Sequence, residues 1–201
     1  MTGGRPERAD AARNRRAILL ATEDLLTRHR PDQISMEQVA AAAGVGKGTV
    51  FHRFGNRMGL MVAVMQERAF ALNEAVRNGP PPLGPGAPPR ERLLAFIDAV
   101  MDVIGRNKGL LAALGQAVTS TSPQEDAGED DHPVYGLWHG HVSGLIAEIR
   151  PDLDSEVLAH LMLAGLHSRP ILRLLERGET ERLAGSLRAV ATALLDSPPA
   201  S

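Results

Sequence analysis

The chain has no cysteine among its 201 residues. That excludes disulfides, thiolate metal sites and cysteine nucleophiles. No stretch of about 18 apolar residues occurs, so no membrane-spanning helix is expected. The first residues, Met-Thr-Gly-Gly-Arg-Pro-Glu-Arg, contain no apolar h-region, so no secretory signal is expected and a cytoplasmic location is. No strand-like alternation of apolar and polar residues appears anywhere. Gly-x-Ser-x-Gly, phosphate-loop and His-Glu-x-x-His patterns are absent too, which argues against the commonest hydrolase and nucleotide chemistries.

What is present is an all-α pattern with 43% apolar residues, enough for one or two domains with a real core. The net charge of −2 hides an asymmetry. Residues 1–78 hold 12 Lys and Arg against 8 Asp and Glu, whereas residues 79–201 hold 10 against 16. A basic front and an acidic back suit an N-terminal part that meets a polyanion and a C-terminal part that does not.

In chain order, residues 1–12 read as a polar tail that, with Arg5, Arg8, Arg13, Arg15 and Arg16, could form a basic arm along phosphates. A helix is predicted from about Arg13 to Arg28 on Ile18, Ala21, Leu25 and Leu26, stopped at Arg30-Pro31. Gly55-Asn56 opens a long helix to about Arg77, its apolar face Leu60, Met61, Val64 and Met65, extended by Phe70 and Leu72. Between Asn78 and Pro89 lie six of the fourteen prolines, a stretch that marks the domain boundary. Helices are then predicted over Arg90–Ile104 and Leu110–Val118, followed by an exposed loop from Thr119 to Asp131. Another runs from Pro133 to about Ile149. The next starts at Asp154 or Ser155 and is split by Pro170 near His167. Gly178 and Thr180 precede the last one.

The segment Ile34 to Phe54 parses as helix, glycine turn, helix. Ser35 is a good N-cap and Gln38 completes a capping-box spacing. Ile34 and Val39 have the spacing of a hydrophobic staple, and Gly44 falls where a left-handed residue ends a helix. Val45, Val50 and Phe54 form the apolar face of the second helix. A compact helix–turn–helix followed by basic residues points to DNA reading.

From Val39 through Gly44, Lys47, Gly48, Thr49, Val50, Phe51, His52, Arg53, Phe54, Gly55 and Asn56 to Arg57, with Leu60 beyond, the segment resembles the N-terminal signature of tetracycline-repressor (TetR) family regulators. The resemblance covers roughly residues 13–70. Gly46 stands where a side-chain cap is common, Phe51 where Tyr is usual, and Gly59 where Glu is frequent. The resemblance implies a three-helix DNA-binding domain over 1–78 and an effector-binding and dimerisation domain over 79–201. It further implies a transcriptional regulator, usually a repressor, bound to a palindromic operator in double-stranded DNA and released by a small molecule.

Within the motif, a second helix of about seven residues is roughly 10 Å long, which suits a major groove about 12 Å wide. With Val50 and Phe54 pointing inward, Gly48 and His52 centre the opposite face, flanked by Thr49 and Phe51. Lys47 can reach a guanine edge or a phosphate, and Arg57 begins a helix where charge and free N–H groups attract phosphate. Ser35 sits at another helix start, and Arg53 is a further basic candidate. The expected DNA-binding set is therefore Ser35, Lys47, Gly48, Thr49, Phe51, His52, Arg53 and Arg57.

For the C-terminal half, pocket walls are expected from Phe96, Val100, Met101, Leu111, Trp138 and Val142, with Leu114, Leu137 and Leu166 as further candidates. Gln116, His141 and His167 serve as polar handles, joined by Tyr135. The effector is expected to be small and mainly apolar. The final helices, about 154–195, are apolar over wide faces and short of aromatics, which suits a homodimer across a two-fold axis. No catalytic residue, cofactor or metal site is expected, since His139 and His141, two residues apart on a helix, do not face each other. Two other readings are a DNA-binding regulator without an effector and a helical enzyme.

Overall fold

The structure is a computed structural model that describes residues 4–113 and 133–198. Every regular element among these is helical: α1 (Gly4–Arg28), α2 (Met36–Ala43), α3 (Lys47–Phe54), α4 (Arg57–Asn78), α5 (Pro89–Ala113), α6 (Pro133–Ile149), α7 (Ser155–Ala164), α8 (Arg169–Glu176) and α9 (Thr180–Asp196). A 3-10 turn at Pro31–Gln33 separates α1 from α2, and another at Gly165–His167 separates α7 from α8.

The chain forms two compact units. The first takes the residues up to Arg68 together with the segment beginning at Leu110. Its core joins Ile18 and Leu19 of α1, Ile34, Met36 and Val39 around α2, Val50 of α3, Leu60, Met61 and Val64 of α4, and Leu110. Burying each of these aliphatic side chains stabilises the unit by about 1.5–3 kcal/mol. Arg68, nearly buried, holds α4 to α1 through a bidentate pair with Glu23 at 2.7 and 2.9 Å. The bidentate form fixes the guanidinium plane as well as its charge.

The second unit builds its core from Ala69 and Leu72, Leu93 to Val103 on α5, Trp138 to Ile146 on α6, and the inner faces of α7 to α9. Arg150, just past α6, ties down the end of α9 by donating to the Leu194 and Ser197 carbonyls, both at 2.8 Å, while Asp152 balances its charge. With Ser197 Oγ also donating to the Leu194 carbonyl at 2.8 Å, the guanidinium completes the C-terminal cap of α9. Arg90 at the start of α5 grips Asp196 at the end of α9, at 2.5 and 3.1 Å.

Many helix ends fall where local chemistry puts them. Asp154 caps α7 by accepting from Val157 N at 3.1 Å. Pro170 occupies the first turn of α8, where a missing N–H costs nothing. Several expectations need correcting. Helix α1 starts at Gly4 rather than Arg13, because Pro6 falls in the first turn and Ala9, Ala11 and Ala12 favour helix. Arg13, Arg15 and Arg16 therefore lie on a helix rather than in a loose arm. The two segments predicted at 90–104 and 110–118 are continuous as α5 up to Ala113. The Asp102–Arg106 ion pair, one helical turn apart, spans the start of the expected break. Phe70 is 60% exposed, since it lies on the opposite face of α4 from Val64. The predicted loop 119–131 lies outside the described residues.

Candidate nucleic-acid interface

Helix α2 is built by its ends. Ser35 Oγ accepts from Gln38 N at 3.1 Å, and Gln38 Oε1 accepts from Ser35 N at 2.8 Å. The reciprocal pair satisfies two donors that have no partner within the helix. Gly44 closes α2 at φ +65°, a left-handed conformation that L side chains rarely adopt. That residue sets the direction in which α3 departs. Gly46 caps α3 with backbone alone, so the cap rests on Thr49 N donating to Gly46 O at 2.9 Å.

Helix α3 has two faces. Val50 is fully buried and Phe54 half-buried against the first core. Lys47, Gly48, Phe51, His52 and Arg53 are all exposed, and Thr49 is intermediate. The structure thus brings five of the eight predicted DNA-binding residues onto one outward surface, with Thr49 at its edge. Phe51 is 39% exposed and lies under the Lys47 ammonium, 5.5 Å from ring centroid to Nζ, which is within cation–π range. With eight residues, α3 is about 12 Å long.

After α3, Gly55 turns at φ +71° and Asn56 caps α4 by accepting from Gly59 N at 2.9 Å. A Cβ at Gly59 would meet the Phe54 carbonyl at 2.1 Å. The first turn of α4 therefore seats directly against the end of α3. Arg57 donates one N–H to the Asp32 carbonyl at 2.9 Å, which anchors the guanidinium while leaving further donors. Ser35 is partly exposed at the start of α2.

One partner escaped the sequence reading. Glu37 on α2 forms an ion pair with Lys47. The hydrogen bond from that ammonium holds the Glu37 carboxyl below its ordinary range. An acidic residue in the first turn of α2 is visible in the sequence, but nothing local aims it at α3.

In the second unit, Phe96, Val100, Met101, Trp138 and Val142 are buried in the core, as is Leu166. Leu137 is 41% exposed, so it does not join the buried walls: it lies on the outer face of α6. Trp138 Nε1 donates to Asn73 Oδ1 at 3.1 Å. The Phe96 ring stands edge-on to Trp138 at 6.2 Å and to His141 at 5.0 Å. Burial, reinforced by the Arg92 charge, pushes the His141 imidazole down to about 4. Tyr135 joins a histidine group on α6 and α7. Its hydroxyl lies 2.7 Å from His160 Nδ1, in a surface cluster with His139. Gln116 and Leu114 lie outside the described residues, as do the side chains of Leu111 and His167. A separate cleft of about 490 Å³ between α5 and α9 is bordered by Met101, Asp98, Asp102, Arg106, Thr180 and Arg188 among others. Of the predicted walls among the described residues, Met101 alone borders it.

A helix–turn–helix packed on α1 and α4, with the outer face of its second helix exposed, polar and basic, has the architecture of a DNA-binding domain. Comparison with known proteins agrees. Residues 18–64 match the profile of bacterial regulatory proteins of the tetR family. No curated protein sequence matches the chain. Among solved structures, the fatty acid degradation regulator FadR from Bacillus halodurans is similar at TM-score 0.56 and 16% identity, covering 92% of this chain and 95% of that one. Salmonella enterica GusR gives 0.51 at 21%, covering 92% and 96%. The regulatory protein TetR from Rhodobacter sphaeroides gives 0.50 at 21%, covering 90% and 95%. At these identities the structures speak for the fold. Residues 18–64 thus carry a DNA-binding domain of the tetR type, within a fold shared with these regulators.

Proposed function

We propose that this protein is a ligand-responsive repressor that binds a palindromic operator as a homodimer, with residues 1–78 reading DNA and residues 79–201 binding the effector and dimerising. The observation that carries the reading is the two-faced α3, with Val50 fully buried while Gly48, His52 and Arg53 on its other side are open to solvent. Lys47, Thr49 and His52 contact base edges or phosphates in the major groove, and Gly48 lets the helix backbone come close. Arg57 and Ser35, at helix starts on either side, take phosphates. Phe51 and Arg53 complete the surface.

A single α3 offers few base-reading side chains, so one half-site binds weakly and two are needed. Support for a dimer comes from apolar side chains left exposed on the second unit. Val157 and Leu161 on α7 are 51% and 68% exposed, and Val190 on α9 is 60% exposed. Their pairing with a second copy over about 154–195 would take this surface out of water. An effector acts by preferring one dimer conformation over another.

The test is selection of bound duplexes from a random DNA pool. A recovered palindrome with half-sites spaced for two copies supports the reading. Recovery of a single asymmetric half-site, or of no preferred sequence, overturns it. Adding candidate small molecules to the bound complex then separates a responsive regulator from a constitutive binder.

A further inference from the structure

The second unit contains two buried nitrogens that hydrogen-bond to nothing. Arg92 Nε on α5 and His141 Nε2 on α6 are both shielded from solvent and without a partner. Leaving such groups unmade is costly, and native chains pair most of them with protein, water or ligand. The two belong to one neighbourhood. Arg92 lies one helical turn before Phe96, on the same face of α5, and the Phe96 ring stands 5.0 Å from His141. Trp138, one turn before His141, also stands edge-on to Phe96, at 6.2 Å. Among the described residues Arg92 makes no ion pair, whereas Arg90, Arg106, Arg150 and Arg188 in the same unit each hold a carboxylate. The unmet chemistry is therefore a permanent positive charge with a free N–H, a neutral imidazole nitrogen beside it, and an aromatic wall.

Resting on the effector reading above, we propose that Arg92 and His141 form the subsite for the carboxylate of a small apolar organic acid, whose hydrocarbon part lies along Phe96 and Trp138. A carboxylate accepts from Arg92 Nε–H and, with His141 in its Nε2–H tautomer, from that nitrogen as well, and it balances the guanidinium charge, which water alone does not. The arrangement matches the pattern of ligand pockets generally, an apolar lining with a few placed polar groups that fix orientation. Arg suits the role because its charge persists at any physiological pH and its N–H groups match a carboxylate in geometry. The depressed basicity of His141 fits a site that awaits an anion, since a bound carboxylate would offset the Arg92 charge now opposing its protonation.

Trp138 is the only tryptophan in the chain, so its fluorescence reports on this site. The experiment titrates the full-length protein with octanoate and phenylacetate, and with octanamide and phenylacetamide as neutral matches. The expected result is saturable quenching by the acids, with the amides at least about tenfold weaker, as expected for loss of a charge-assisted hydrogen bond. Arg92→Met and His141→Phe should remove the acid preference while circular dichroism stays unchanged. Arg92→Lys, which keeps the charge and loses the Nε donor, serves where Arg92→Met does not fold, and should weaken acid binding in part. Equal response to acid and amide, no saturable response to either, or acid preference that survives both substitutions would overturn the proposal. Operator release is read separately by gel shift. Acid binding without release would uphold this subsite and overturn the effector reading. Release by a neutral ligand, unaffected by Arg92→Met, would do the reverse.

Discussion

Gly48 separates what stabilises this protein from what it does. Glycine inside a helix costs up to about 1 kcal/mol relative to alanine, and α3 is only eight residues long. A Cβ built at Gly48 meets nothing within 4 Å, and the residue is exposed. In the free protein Gly48→Ala should therefore be stabilising, by up to about 1 kcal/mol or about 2–4 °C in melting temperature for a chain of this size. On DNA the expectation reverses. If the outer face of α3 lies against the groove, a methyl group holds the backbone off by about 1–2 Å, enough to lengthen hydrogen bonds beyond their useful range. Losing about 1.4 kcal/mol per half-site is tenfold, hence about a hundredfold for two half-sites. Thermal melting and operator titration on the same preparation measure both effects. A variant that is more stable and binds operator as tightly as the parent would refute the close approach of this helix face. A variant that is less stable would refute the reading of the free helix.

Glu37→Gln should raise operator affinity about two- to fivefold, because Lys47 no longer gives up an exposed ion pair to reach DNA and a carboxylate is removed from near the phosphates; gel shift at fixed salt measures this. Gly59→Ala should destabilise the first unit by about 1–3 kcal/mol and weaken operator binding, since the new Cβ collides with the Phe54 backbone carbonyl. Urea unfolding followed by operator titration would show both effects together. His141 has a depressed folded basicity, about 4 against an ordinary 6.5. Its contribution is complete above pH 6.5, declines as the unfolded chain takes up a proton below that, and is gone below about 4. Allowing for partial exposure, the loss is about 1–2 kcal/mol, and His141→Phe should flatten the slope of urea stability between pH 6.5 and 4.

The parts of this structure that sequence alone disclosed are those with local causes. The Ser35–Gln38 box, the left-handed Gly44, the Asn56 cap, the first-turn Pro133 and the Pro170 split each depend on residues within one helical turn of one another. The faces of α3 followed in the same way, because Val50 is inside only if Gly48 and His52 are outside. The break expected between Ile104 and Leu110, a stretch that holds Gly105 and Gly109, is absent for the opposite reason. Helix α5 continues past both glycines, and at Gly105 the absence of a side chain admits Thr180, a residue distant in sequence, whose Oγ1 would lie 2.9 Å from an added Cβ. Phe70 misled because a helix face drifts with distance, and an apolar residue two turns along need not share it. The Lys47–Glu37 and Arg92–His141 relations were hidden altogether. Each joins residues on different helices, and only the tertiary arrangement brings them together.

The most direct test of the central claim is a titration of the selected operator against Lys47→Ala and the parent protein over a range of salt concentrations. Removing one phosphate partner per protomer should lower the salt slope by about 0.9, or about 1.8 for two half-sites. Between 50 and 200 mM salt, the parent should then weaken about twelvefold more than the variant. Equal affinity and equal slope for the two proteins would contradict the placement of Lys47 on DNA, and with it the assignment of α3 as the reading helix.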